Sequence, residues 1–366
     1  MIRAGNADVL GFHFTPPHEQ GVRKLSGKAR DSAEPIFTTH NILRPMQGFE
    51  RGWLYGYLFA GDLSVFVAIG RDSSDSRFFQ EFRLGGKSMV VGERLCESKL
   101  EQGKLIIRES GLQVDWTGPF PEYNVSVWLE KDGNKAEFRY KFEKISEKVG
   151  PYRCTGEVFG NRLAYFYILP CKASLVAKIE GDPEKLGIPK ELFERINGKE
   201  ITSFFAYNEA VHANGPLYNG GWYWHMLECY EDNQAKPLKM LGFMDLFFEG
   251  SKVERERKAV VMNLQFYCVD LESGEISIDS DAKITFETKD GKPFFQLENE
   301  DFSAQIRAQS VPVLRKIEGK KEMFGVHLQH IEYSAYQSEG TLKCGDKTYN
   351  LIGTSEIAGG WGQRWI

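Results

Sequence analysis

Apolar and polar residues alternate along most of this chain, and glycine-centred turns break the alternation at short intervals. Trp53–Ile69 (WLYGYLFAGDLSVFVAI) reads as two strands around Gly61-Asp62, the pattern of a hairpin with a tight turn. Leu105–Trp116 repeats it around Ser110-Gly111, and Tyr123–Phe142 around Asp132-Gly133. Glu275–Leu297 carries Asp290-Gly291, and Thr341–Ile352 turns at Gly345-Asp346. Residues two apart share one face of a strand, so these hairpins predict antiparallel, meandering sheet. Only one segment has convincing helical spacing. In Pro183–Ile196, Leu186, Leu192, Phe193 and Ile196 share a stripe, and Asn197-Gly198 supplies a stop. The first 45 residues lack periodicity and are rich in Gly, Pro, Ser and His, as befits a segment wrapping the surface or lying over a barrel mouth.

The helix falls near the midpoint, and the sequence around it hints at duplication. Gly52-Trp53 and Gly221-Trp222 stand 169 positions apart, and each is followed by aromatics, an acidic turn and an apolar strand. Each half also carries a later Asp-Gly hairpin, at Asp132-Gly133 and at Asp290-Gly291. The expected organisation is an N-terminal barrel over 1–180, a helical connector over 181–200 and a C-terminal barrel over 201–366. Each half has about the size of a lipocalin-type barrel, whose interior can hold one small ligand.

Composition narrows the function. The 366 residues accommodate two domains. Aromatics reach 13%, with Phe at 26 and Tyr at 15, and such side chains suit both pleated strands and apolar pockets. The net charge is −5 with signs interspersed, so the basic stripe of a nucleic-acid binder is missing. No apolar run has the length of a signal peptide or a membrane-spanning helix, which places the expected location in the cytoplasm without membrane insertion. The six cysteines are scattered with no CxxC pair and read as reduced, mostly buried thiols. His327 and His330 lie in a strand-like stretch where residues three apart face opposite ways, so no metal is expected from them. Phosphate loops, GxGxxG and GxSxG are absent, leaving no nucleotide cofactor or nucleophile elbow.

The richest cluster is Asn214–Glu228 (NGPLYNGGWYWHMLE). As a strand it puts Trp222, Trp224, Met226 and Glu228 on one face and Tyr223, His225 and Leu227 on the other. Aromatic walls of this kind shape an unsaturated chain and stabilise developing positive charge, or simply fill a core. Glu50, if buried among Trp53, Tyr55 and Tyr57, would stay protonated and act as a general acid; pairing with Arg51 or Arg44 is the structural alternative. Asp245, inside the apolar run LGFMDLFF, is costly to bury unless paired or protonated; capping a turn is its alternative.

Glu50-Arg51-Gly52-Trp53-Leu54-Tyr55 resembles the E-x-W-[WF]-Y opening motif of the carotenoid hydratase and AttH-like proteins, and the E-G-W-Y-F of tocopherol cyclase. Gly215-Pro216-Leu217-Tyr218 with Gly221-Trp222-Tyr223-Trp224 is similar to that superfamily's central G-x-x-Y and aromatic run. Leu54 stands where the opening motif has a second aromatic, and Asn219-Gly220-Gly221 follow Tyr218 where an acidic residue is usual. Tyr336-Gln337-Ser338-Glu339-Gly340, followed by Gly353-Thr354-Ser355-Glu356, resembles its closing pattern of an E-G step, a hairpin and G-x-x-E.

The resemblance implies an all-β fold of two tandem lipocalin-like antiparallel barrels packed side by side, with one short connecting helix. It also implies work on isoprenoid or polyketide-like substrates. The expected activity is cyclisation, isomerisation or hydration of a hydrophobic small molecule without metal or cofactor, the pocket folding a flexible chain into a reactive shape. Glu50, Asp245 and His225 are the candidate catalytic groups. Trp53, Tyr55, Tyr57, Tyr218, Trp222, Trp224 and Glu228 are the candidate substrate-binding residues, and Glu356 either serves the site or anchors the last strand. A non-catalytic carrier with the same barrels is the alternative. A carbohydrate-active protein ranks third, because no carboxylate pair at glycosidase spacing stands out.

Overall fold

All five expected hairpins form. Asp132 (φ 50°) with Gly133 (φ 78°), and Asp290 (φ 53°) with Gly291 (φ 74°), supply the successive positive φ angles of a two-residue hairpin loop. The computed structural model describes residues 2–3, 13–14 and 50–359, except 73–75, 86, 102–103, 119–120, 146–151, 159–160, 215–219, 233–236, 249–259, 271–275, 280–282, 299–301, 311–314, 319–321, 324–325 and 328–329. The chain divides into two units, one of residues 23–155 and 162–215, the other of 1–22, 156–161 and 216–366.

The first unit is a ring of strands: β1 (Glu50–Ala60), β2 (Leu63–Asp72), β3 (Ser76–Leu84), β4 (Lys87–Cys96), β5 (Ser98–Glu101), β6 (Lys104–Glu109), β7 (Leu112–Thr117), β8 (Tyr123–Lys131), β9 (Asn134–Lys144), β10 (Asn161–Glu180) and β11 (Glu200–Asn214). Each pairs antiparallel with the next, and β11 returns to pair with β1. Among the described residues only β4 and β5 share no ladder, and a single residue, Glu97, separates them. Ten antiparallel steps lead around the ring from β4 to β5, so the two run in the same direction. Lys87–Glu101 is therefore one extended run that pairs β3 with its first part and β6 with its last. Ser98 ties the junction, its Oγ lying 2.5 Å from Ser76 Oγ and accepting from Arg71 Nε at 3.1 Å. Counted this way, the ring has ten strand positions.

Alternation decides what fills it. Leu54, Val67, Phe78, Leu105, Trp116, Val125, Phe138, Leu175 and Ile201, drawn from strands all round the ring, belong to one buried cluster. The helical segment differs from its expected form and place. Gly187, at φ 75°, closes a short 3-10 turn (Pro183–Leu186), and Pro189 then caps a separate helix, α1 (Lys190–Ile196). Pro189 lacks the N–H that would let one helix run through. Ile188, Leu192 and Ile196 join the same barrel core, and Arg195 reaches the Ala60 carbonyl. The helix thus caps the first barrel instead of linking two. Residues 201–215 likewise belong to that barrel, because β11 pairs with β1 and β10 and completes the ring.

The second unit repeats the circuit: β12 (Gly220–Tyr230), β13 (Lys239–Phe248), β14 (Val260–Asp270), β15 (Ile276–Asp279), β16 (Lys283–Lys289), β17 (Lys292–Glu298), β18 (Phe302–Ala308), β19 (His330–Cys344) and β20 (Lys347–Gly359). Here β20 returns to β12, and the missing ladder again falls between the fourth strand and the fifth, β15 and β16. Eight antiparallel steps separate those two strands, so they also share a direction and count as one of eight positions. Ile2–Arg3 adds to β14 in parallel beside Val260 and Val261. Trp53 and Trp222 thus occupy the first strand of equivalent rings. The two Asp-Gly hairpins are not equivalent. Counting back from the closing ladder, Asp132-Gly133 joins the fourth and third strands from the end, Asp290-Gly291 the fifth and fourth. Among the described residues no helix is long and apolar enough to cross a membrane.

Candidate functional site

Strand alternation sorts the expected site residues into three places. In β1, Leu54 and Leu58 face the first barrel's core, so Trp53, Tyr55 and Tyr57 take its outer face. That face is nonetheless buried, with Tyr55 at 7% and Tyr57 at 1% exposure. Tyr55 packs on Phe66 at 4.3 Å and edge-on to Tyr207 at 5.7 Å. The buried pair Arg83 Nε to Glu81 Oε1, 2.9 Å, borders these aromatics in the same register. The aromatics of the opening motif therefore build an outer face, and among its described side chains only Leu54 lines the barrel. Glu50 opens β1 opposite Asn214, and its side chain lies outside the described residues.

In β12, Leu227 and Cys229 belong to the second barrel's core with Phe295, Leu297, Ile306, Leu342 and Leu351. His225 shares their face. Trp224, Met226 and Glu228 take the opposite, outer face and are also buried. Trp222 pairs with Leu246 and Ala358, and Asp245 with Tyr223 and Leu264, but neither side chain is among those described. Tyr218, His327 and His330 likewise fall where side chains are not described.

The inner face gives the most defined chemistry. His225 pairs across the closing ladder with Ser355, and Ser355 pairs with Tyr336. His225 Nδ1 lies 2.6 Å from Ser355 Oγ, and Ser355 Oγ lies 2.6 Å from Ser338 Oγ. All three side chains are fully buried. The imidazole meets the Phe295 ring edge-on at 4.5 Å, which fixes its plane. Burial holds the His225 pKa well below the ordinary imidazole range, because a charged ring would lose its hydration. The resting state is thus a neutral imidazole at one end of a two-hydroxyl chain.

In the sequence Ser338 and Ser355 stand only as parts of the closing pattern, which assigns them no chemical role. The signal was present in their parity. Ser338 stands an even number of residues from Leu342, and Ser355 from Leu351, so each falls on the inward face with its core neighbour. Which inward hydroxyl meets which imidazole depends on register, and only the ladders supply that.

Glu228 has a different setting. Its Oε2 accepts from Tyr230 OH at 2.6 Å, yet desolvation outweighs this bond and raises the carboxyl pKa. A raised folded pKa means that the folded state favours the proton, so ionisation costs stability as pH rises above the unfolded value, about 4.3. Glu228→Gln, which keeps an acceptor for Tyr230, is expected to raise the melting temperature at pH 8. The difference should disappear at pH 4, where both side chains are neutral; calorimetry at the two pH values checks this. Glu356, also buried, pairs with Trp224 on the same outer face. Among the described residues no group of three or more His, Cys, Asp or Glu side chains gathers as a metal site.

The ladders define an all-β protein of two up-and-down antiparallel barrels. Solved structures similar to it include an AttH-like protein from Nitrosomonas europaea, at 10% identity over 84% of this chain and 91% of that one, with a TM-score of 0.40. Kievitone hydratase from Nectria haematococca is similar at 9% identity over 93% and 98% of the two chains, with a TM-score of 0.37. CghA is similar at 8% identity over 85% and 88%, with a TM-score of 0.40. No protein-family model matches the sequence, and no curated protein sequence matches it.

Proposed function

We propose that the second barrel is a cofactor-free acid–base catalyst that cyclises, isomerises or hydrates a hydrophobic small molecule, with His225 as its proton-handling group. The observation that carries this is the buried chain His225–Ser355–Ser338, at 2.6 Å per link, among apolar residues. When Ser355 donates to Nδ1, the ring proton sits on Nε2, which then acts as an acid toward a substrate. Protonation of the substrate by Nε2 is balanced by transfer of the Ser355 proton to Nδ1 and of the Ser338 proton to Ser355. A proton leaving the substrate restores Ser338. The pair freed by the departing proton becomes the substrate's new π, ring or C–O bond, and the π pair of the attacked double bond or carbonyl takes the proton from Nε2. Both protons move in one concerted step, so Ser338 never stands as a free alkoxide and no charge is left on the buried protein groups. The expected roles of Glu50 and Asp245 stay within this proposal as second acids.

Turnover in D2O tests it. Linear enones and dienes of ten to twenty carbons are incubated with the protein, and carbon-bound deuterium and ring closure are followed by mass spectrometry. Deuterium incorporation that depends on His225 supports the relay. Tight binding of the same compounds with no exchange would favour the carrier reading and end this one.

A further inference from the structure

Buried polar groups in native proteins are hydrogen-bonded as a rule, and four side chains inside the first barrel break it. Both amide atoms of Gln80, Oδ1 of Asn208, Nε1 of Trp116 and the hydroxyl of Tyr140 have no hydrogen-bond partner among the described residues. None of these side chains is more than 2% exposed.

The ladders bring them to one interior. Gln80 pairs with Val67, Val67 with Gly56, and Gly56 with Asn208, so Gln80 and Asn208 lie in a single transverse row. Trp116 pairs with Val125, and Val125 with Tyr140, giving a second row. Phe142 joins the two. Its ring lies against Gly56, where a Cβ would collide with it, and its ladder partner Tyr123 packs edge-on to Trp116 at 5.4 Å. Asn208 Nδ2 donates to the Pro121 carbonyl at 2.7 Å. That bond fixes the amide, leaving Oδ1 as its open acceptor. Cys171, Ala173 and Ala206 give small side chains to the wall beside Asn208, and a ring of ten positions is wider than one of eight.

Every member of the quartet is neutral. Trp116 needs an acceptor, Asn208 Oδ1 needs a donor, Gln80 offers one of each, and Tyr140 serves either way. We infer that the interior of the first barrel is a second binding site, for a neutral, mostly apolar small molecule carrying both a carbonyl and a hydroxyl group. Charged ligands are rejected, because desolvating a charge against uncharged partners is far costlier than desolvating a ketone or an alcohol. The site lies in the other barrel from His225, so it does not rest on the proposed relay.

Calorimetric titration of the full chain with 4-hydroxyacetophenone tests the inference, with 4-hydroxybenzoate as the charged control. The ketone is expected to bind saturably and the carboxylate at least about 100-fold more weakly. Asn208→Leu and Gln80→Met should each weaken the ketone about 10- to 100-fold, while His225→Asn leaves it unchanged. Gln80→Met should also raise the melting temperature of the ligand-free protein, since it removes a buried amide without partners. A Gln80 with a purely structural role would give the opposite sign. The inference is overturned by absence of saturable binding, by binding indifferent to both substitutions, by a lower melting temperature for Gln80→Met, or by a crystal structure with the probe that shows only water inside the first barrel.

Discussion

Gly340→Ala is expected to cost the second barrel about 3–5 kcal/mol, much of the stability of an ordinary domain. A Cβ on Gly340 would meet the Gln305 carbonyl oxygen, with Ile306 Cα only 3.0 Å away. Both belong to the backbone of β18, which cannot retreat without breaking its ladder to β19. Gly353→Ala should behave alike, since its Cβ would run into the Met226 carbonyl on β12. The two glycines sit in the E-G step and the G-x-x-E of the closing pattern, so part of that pattern records strands that approach too closely for any side chain. A graded series checks the cause. Gly56→Ala, whose three nearest atoms all belong to the Phe142 side chain and not to backbone, should cost about 1–3 kcal/mol. Gly345→Ala, at φ 58° with open space around it, should cost about 1–2 kcal/mol from backbone strain alone. Urea denaturation that ranks the four otherwise would show that crowding at the closing ladder is not the reason.

His225→Asn is expected to lower turnover about 100- to 10,000-fold, the range of a lost general acid–base group. Binding of the same substrate should change little, so the loss falls on kcat and not on KM. Ser355→Ala cuts the hydroxyl chain at its middle link and should approach the His225→Asn value, while Ser338→Ala removes only the end. Equal turnover in wild type and His225→Asn would refute the relay. Stability provides an independent readout. The folded pKa of His225 lies below the unfolded value, so above about pH 6.5 the ring is neutral in both states and contributes no pH dependence. As pH falls below that value the unfolded state gains a proton that the folded state refuses, and stability is lost. His225→Asn should flatten that acid limb. A stability–pH curve unchanged by the substitution would place the imidazole in water.

Much of the fold could be read from residues alone, because hairpin turns and alternation are local. Asp132-Gly133 and Asp290-Gly291 declare their φ angles in their side chains. The long-range ladders could not be read in this way. Nothing in Glu200–Asn214 states that it pairs with β1, so a division at the midpoint helix gives the first barrel's last strand to the second barrel. The apolar stripe runs on through Pro183–Ile196 and so reads as one helix, although Gly187 and Pro189 interrupt it. For the site, parity alone put His225 on one face and Trp224 with Glu228 on the other. Its partners Ser338 and Ser355 needed the register of β19, β20 and β12.

Each ring ends by pairing its last strand with its first, and this sets an order of assembly during synthesis. The first barrel cannot shut until Asn214 has left the ribosome, 164 residues after Glu50. The second must wait for β20, so its apolar interior stays open to chaperones until that strand emerges. Ile2 and Arg3, made long before β14, find their place only when Val260 and Val261 arrive beside them.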